Sequence, residues 1–167
     1  MKPTLVTLCL LSATLAGSAV AAEKTDKYAD YKAMAKQQAG NYAAEKLNLP
    51  TASPAGAKVY IISPKAGETV TSPVTVVFGL SGMGVAPAGI KDVQNTGHHH
   101  LLIDSPTVDY AVPLPMTDQV KHFGAGQTET SLALKPGTHT LQLVLGDWKH
   151  QPFNPNVQSE AITITVK

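Results

Sequence analysis

Arginine is missing from the 167 residues: all thirteen basic side chains are lysines. That removes the planar, five-donor fork with which proteins usually grip phosphate and carboxylate groups. The formal net charge is only +1 and no cationic stripe can be read, so nucleic acid is not an expected partner. Cysteine is almost absent as well. Cys9 stands alone, inside an apolar run and without the small-residue context that lipid modification requires. Catalytic signatures are also wanting: there is no Gly-x-Ser-x-Gly elbow, no His-Glu-x-x-His pair and no phosphate-cradling glycine loop. The expectation is a non-enzymatic module, and a metal-dependent hydrolase with a poised water is the one catalytic route left open.

Lys2, the apolar run 5–15 and the small residues ending in Ala19-Val20-Ala21 have the order of a secretory signal peptide over residues 1–21. The apolar run is too short for a membrane span. Cleavage after Ala21 leaves a chain without thiols, so disulfides and thiolate metal sites are unavailable in a periplasmic or secreted location. About 146 residues then remain, enough for one ordinary core.

Residues 22–49 are rich in Ala, Lys, Gln and Tyr. Tyr28, Tyr31, Ala35 and Tyr42 fall at helical spacing, which predicts a helical leader interrupted near Gly40-Asn41. Its mostly alanine stripe buries little area and suits a loosely attached spacer. Residues 50–57 read as a linker. From residue 58 the pattern changes to short runs of Val, Ile, Leu and Thr punctuated by Gly and Pro. Strands are expected at 59–63, 74–80, 99–104, 130–134, 138–145 and 161–166, with a weaker one at 110–114. The predicted fold of residues 58–167 is therefore all-β, an immunoglobulin-like β-sandwich of about seven strands preceded by a short α-helical leader.

All six histidines lie in this domain. In Gly97-His98-His99-His100-Leu101-Leu102-Ile103-Asp104, strand alternation groups His99 with Leu101 and Ile103, facing inward, and His98 with His100, facing outward. The Cα atoms of His98 and His100 should lie roughly 7 Å apart, so their imidazoles can converge on one metal ion. His122 precedes a glycine-flexible loop that ends in a carboxylate, Glu129. Asp147 and His150 follow the leucine-rich strand 138–145 and offer an oxygen and a nitrogen ligand, with Asp147 as a turn cap the alternative. Met83 adds a thioether on another loop. Imidazole with thioether, in the absence of thiolate, favours copper over zinc. His139 shares the parity of Leu141, Leu143 and Leu145 and follows Pro136-Gly137, which gives it a structural role at a strand corner.

The motifs Asn95-Thr96-Gly97-His98-His99-His100-Leu101-Leu102-Ile103-Asp104 and His122-Phe123-Gly124-Ala125-Gly126-Gln127-Thr128-Glu129 closely resemble those of a family of exported bacterial domains of unknown function. The likeness covers nearly all of residues 58–167 and implies a self-contained exported domain. A weaker likeness links Asp147, His150 and the strand at 161–166 to periplasmic copper-resistance carriers of immunoglobulin-like fold. This chain lacks their aspartate-glycine-histidine run.

Together these observations point to a periplasmic metal-binding module. Copper is expected first and zinc second, held by His98, His100, His122 and His150 with Asp147 or Glu129 supplying oxygen. The rival reading is an envelope module whose histidine loops recognise a protein or glycan through hydrogen bonds and ring area.

Overall fold

The structure, a computed structural model, describes residues 27–47, 49–91 and 93–167. The expected export signal lies outside them. The leader forms one helix, α1 (Lys27–Lys46), with Lys46 in its last turn where a cation complements the helix dipole. The helix runs without interruption through Gly40, contrary to expectation. The alanines, lysines and glutamines on either side are strong helix formers, and they outweigh a glycine cost of about 1 kcal/mol. Tyr31, Met34 and Tyr42 are all exposed. Among the described residues no helix is long and apolar enough to cross a membrane.

Nine strands follow: β1 (Lys58–Ser63), β2 (Thr69–Val70), β3 (Val74–Ser81), β4 (Gly84–Val85), β5 (Thr96–Ile103), β6 (Val120–His122), β7 (Glu129–Leu132), β8 (Gly137–Gly146) and β9 (Ile162–Val166). They form two sheets. One has the order β1-β3-β7. The other runs β2-β9-β8-β5-β4, with β6 also paired to β5. The all-β sandwich expected from the sequence is the architecture found. Six of the seven expected strands are present, and the three not foreseen are two or three residues long. Residues 110–114 are not a strand. Pro113 and Pro115 flank Leu114 and withhold the backbone donors that a ladder needs, and Asp109 instead caps a turn by accepting the Ala111 N–H at 2.8 Å.

The main core fills the space between the sheets. Val59, Val74, Val76, Phe78 and Leu132 come from the smaller sheet, and Leu101, Ile103, Leu141, Leu143, Leu145, Ile164 and Val166 from the larger one. Each fully buried aliphatic side chain contributes about 1.5–3 kcal/mol. A second, smaller cluster of Leu102, Leu114, Val120 and Val144, flanked by Val108 and Tyr110, sits apart from it. Leu102 and Val144 have the opposite strand parity to the interlayer leucines, so this cluster covers the outer face of the larger sheet. The segment 50–57 is tied to the domain: Ala52 bridges Asn154, and the Ser53 N–H donates to the Asn154 carbonyl at 3.2 Å.

Candidate metal centre

Strand β5 is the foundation of the site. It pairs with β8 along one edge and with β6 and β4 along the other, so its backbone is fixed from both sides. The expected alternation holds. His99 faces the interlayer core and packs against Phe78, with ring centres 5.1 Å apart, while His98 and His100 share the opposite face. That face is not open, as the alternation alone suggested: both rings are fully buried. The outer cluster closes one side of this region, and the turn after β8 brings His150 over it.

His122 reaches the site through pairing. In the β5–β6 ladder it lies directly opposite His100, so two stretches of chain more than twenty residues apart place their imidazoles side by side. Two glycines make the space. A Cβ on Gly124 would collide with the Cε1 atom of His122, and one on Gly146 would stand 2.7 Å from the Cε1 atom of His100. Gly146 also sits opposite His98 in the β5–β8 ladder. Nothing in the sequence flagged Gly146 as part of the site.

His150 arrives on a tight turn that Asp147 organises. The Asp147 Oδ1 atom accepts the Lys149 N–H at 2.8 Å and the Gln151 N–H at 3.0 Å. Its Oδ2 atom accepts the Thr51 hydroxyl at 2.7 Å. The backbone closes the same turn, with the His150 N–H donating to the Asp147 carbonyl and the Asp147 N–H to the Gln151 carbonyl. His150 is thereby held at φ 69°, in the left-handed region that few residues other than glycine occupy, Asn, Asp and His more often than the rest.

The four rings form one cluster. Centre-to-centre separations are 4.8 Å for His98–His100, 5.0 Å for His98–His122 and 5.0 Å for His98–His150. They are 5.2 Å for His100–His122, 6.2 Å for His100–His150 and 4.7 Å for His122–His150. One ring nitrogen from each of His98, His100 and His122 lies within 4.8 Å of the others. Both ring nitrogens of His98 and of His100, and Nε2 of His122, are buried with no hydrogen-bond partner. An unsatisfied buried polar group costs about 1–3 kcal/mol, and an ion bound between the rings would engage the one lone-pair nitrogen of each neutral imidazole.

The electrostatics keep those lone pairs free. Burial, aided by His122 and His150, lowers the His98 pKa to about 3. Burial, followed by the neighbouring His98, does the same for His100. Burial and then His150 lower that of His122. Neutral imidazole is the form that binds a metal.

The remaining candidates lie elsewhere in function or in space. Asp147 is buried and its carboxylate is taken up by three donors, so it acts as the cap of the His150 turn and not as an oxygen ligand. Glu129 is exposed in β7 of the opposite sheet and is not among the side chains brought together at the site. Met83 packs against the interlayer core, which removes the thioether argument for copper. His99 bonds through Nδ1 to the Gln127 carbonyl at 3.3 Å. His139 is structural, as expected: Nδ1 bonds Asp104 at 3.0 Å and Nε2 donates to the Lys135 carbonyl at 2.9 Å.

Comparison with curated proteins and with solved structures finds no match. The family comparison does find one, and the matched span contains all four clustered histidines and the turn that carries His150: over residues 76–167 the chain belongs to the family described as Domain of unknown function (DUF4399).

Proposed function

We propose that this domain binds one transition-metal ion, copper or zinc, through His98, His100 and His122, with His150 beside them, in the bacterial envelope. The observation that carries the reading is the convergence of three imidazole nitrogens within 4.8 Å of one another, on rings whose buried nitrogens have no other partner. Imidazole suits both ions, and copper heads the affinity order for nitrogen ligands. The signal-like order of residues 1–21 supports export. A rim of rings recognising a protein or glycan needs those rings at the surface, whereas His98 and His100 are fully buried. Calorimetric titration of the metal-free protein with Cu(II), Cu(I) and Zn(II) tests the proposal. One ion per chain is expected, lost when His98 and His100 are both replaced by alanine. Stoichiometry that survives this double replacement overturns the proposal.

A further inference from the structure

We infer that the centre is a closed, four-imidazole tetrahedron suited to a d10 ion, Zn(II) or Cu(I), with His150 as the fourth ligand. The inference rests on the metal-binding reading above and adds the coordination geometry and the class of ion.

The geometry comes from the ring separations. A metal about 2.0–2.1 Å from each nitrogen sits about 3.2 Å from each ring centre, so four rings at tetrahedral corners have centres about 5.2 Å apart. A square plane instead requires four separations of about 4.5 Å and two, between opposite rings, of about 6.4 Å. In the structure five of the six separations run from 4.7 to 5.2 Å and the sixth is 6.2 Å. The sixth is His100–His150. In a square plane its counterpart would be His98–His122, which is only 5.0 Å. The arrangement is a tetrahedron opened along one edge.

The fourth corner has its own evidence. His150 is held in a left-handed backbone conformation by a turn that occupies every oxygen of a buried aspartate, and the Leu114 N–H donates to its carbonyl at 2.9 Å. Such strain persists only where the surroundings enforce it, and here the result is a ring 4.7 Å from that of His122 and 5.0 Å from that of His98. Among the described residues the group whose ligand atoms converge is His98, His100 and His122, with no carboxylate or thiol; the His150 ring, 4.7 Å from that of His122, adds a fourth imidazole, so the proposed ligand set is neutral and purely imidazole. An ion with a filled d shell accepts this geometry without penalty, whereas Cu(II) and Ni(II) prefer tetragonal fields. With four rings bound, no position remains for a reactive water.

Co(II), the spectroscopic stand-in for zinc, gives a direct readout in the full chain. The expected result is the intense visible absorption of tetrahedral Co(II), with Zn(II) or Cu(I) displacing it. Competing chelators for each ion then show which of the two binds more tightly. His150→Asn keeps a residue that tolerates the left-handed backbone and should shift and weaken the visible bands as water takes the vacated fourth position, with a loss of Zn(II) or Cu(I) affinity of at least about tenfold. Weak octahedral bands in the parent protein, an unaltered spectrum in His150→Asn, or tighter binding of Cu(II) than Cu(I) with a tetragonal paramagnetic signal would each overturn the tetrahedron while leaving metal binding intact. Failure to bind any of these ions would overturn the metal-binding reading itself.

Discussion

Substituting Gly124 by alanine tests the proposed site at His122. The added Cβ would overlap the Cε1 atom of His122 and come within 3.2 Å of the Ala88 Cβ. Carbon atoms rest about 3.5–4.0 Å apart, so the ring must retreat by more than about 1 Å. Metal–nitrogen bonds tolerate deviations of only about 0.2 Å. His122 therefore leaves the coordination sphere or strains it, and affinity should fall about 10- to 100-fold, equivalent to about 1.4–2.8 kcal/mol. The metal-free fold should hardly notice. Gly124 does not have a left-handed backbone, the His122 ring is only half-buried and is expected to swing aside, and alanine gains about 0.4–1 kcal/mol by restricting the unfolded chain. Zn(II) and Cu(I) competition titrations, run beside thermal unfolding of the metal-free forms, measure both quantities. Unchanged affinity would refute the placement of His122 at the metal, and a large loss of metal-free stability would refute the claim that its ring can swing away.

Other outcomes follow from the same geometry. The native state holds His98 and His100 neutral, with pKa values pushed by burial from 6.5 to about 3, while the unfolded chain takes up protons near 6.5. Stability of the metal-free protein should therefore fall as pH drops below 6.5 and go on falling towards 3, with a slope approaching about 1.4 kcal/mol per pH unit for each histidine; urea unfolding at several pH values should show it, and a flat profile would contradict it. His139 behaves in the opposite sense. The Lys135 carbonyl first, and Asp104 in support, raise its pKa against an opposing effect of burial, so its contribution is present below pH 6.5 and disappears as pH rises through the raised value. A proton NMR titration should find its midpoint above 6.5. Replacing Asp147 with alanine should strip the Lys149 and Gln151 N–H groups of their acceptor and destabilise the protein by about 1–3 kcal/mol, whereas Asp147→Asn, which keeps one acceptor oxygen, should lose less in the same thermal melts.

The sequence was a good guide wherever a short period decided the outcome. Leu141, Leu143 and Leu145 announced a half-buried strand, and the parity of β5 correctly separated His99 from His98 and His100. It misjudged what covers the outer face. Tyr110 and Leu114 lie in the stretch expected as a weak strand, with Val108 just before it, and only the folded connection between β5 and β6 lays all three over Leu102. His122 was recognised by residue type, but its distance from His100 is set by the register of a three-residue strand too short to announce itself. Asp147 carried two readings that the residue alone could not separate. A nearby Thr51, 96 positions away in the chain, settles the matter by hydrogen bonding. Glu129 falls outside the cluster because the six-residue loop 123–128 carries the chain from His122 to the other sheet.

The Thr51–Asp147 contact ties the stretch just beyond α1 to the turn bearing His150. Mechanically it is a drawstring. Anything that pulls the amino-terminal helix away from the sandwich tightens first on that knot, so capture of the helix by another molecule would be felt at one corner of the histidine cluster before the two sheets themselves were disturbed.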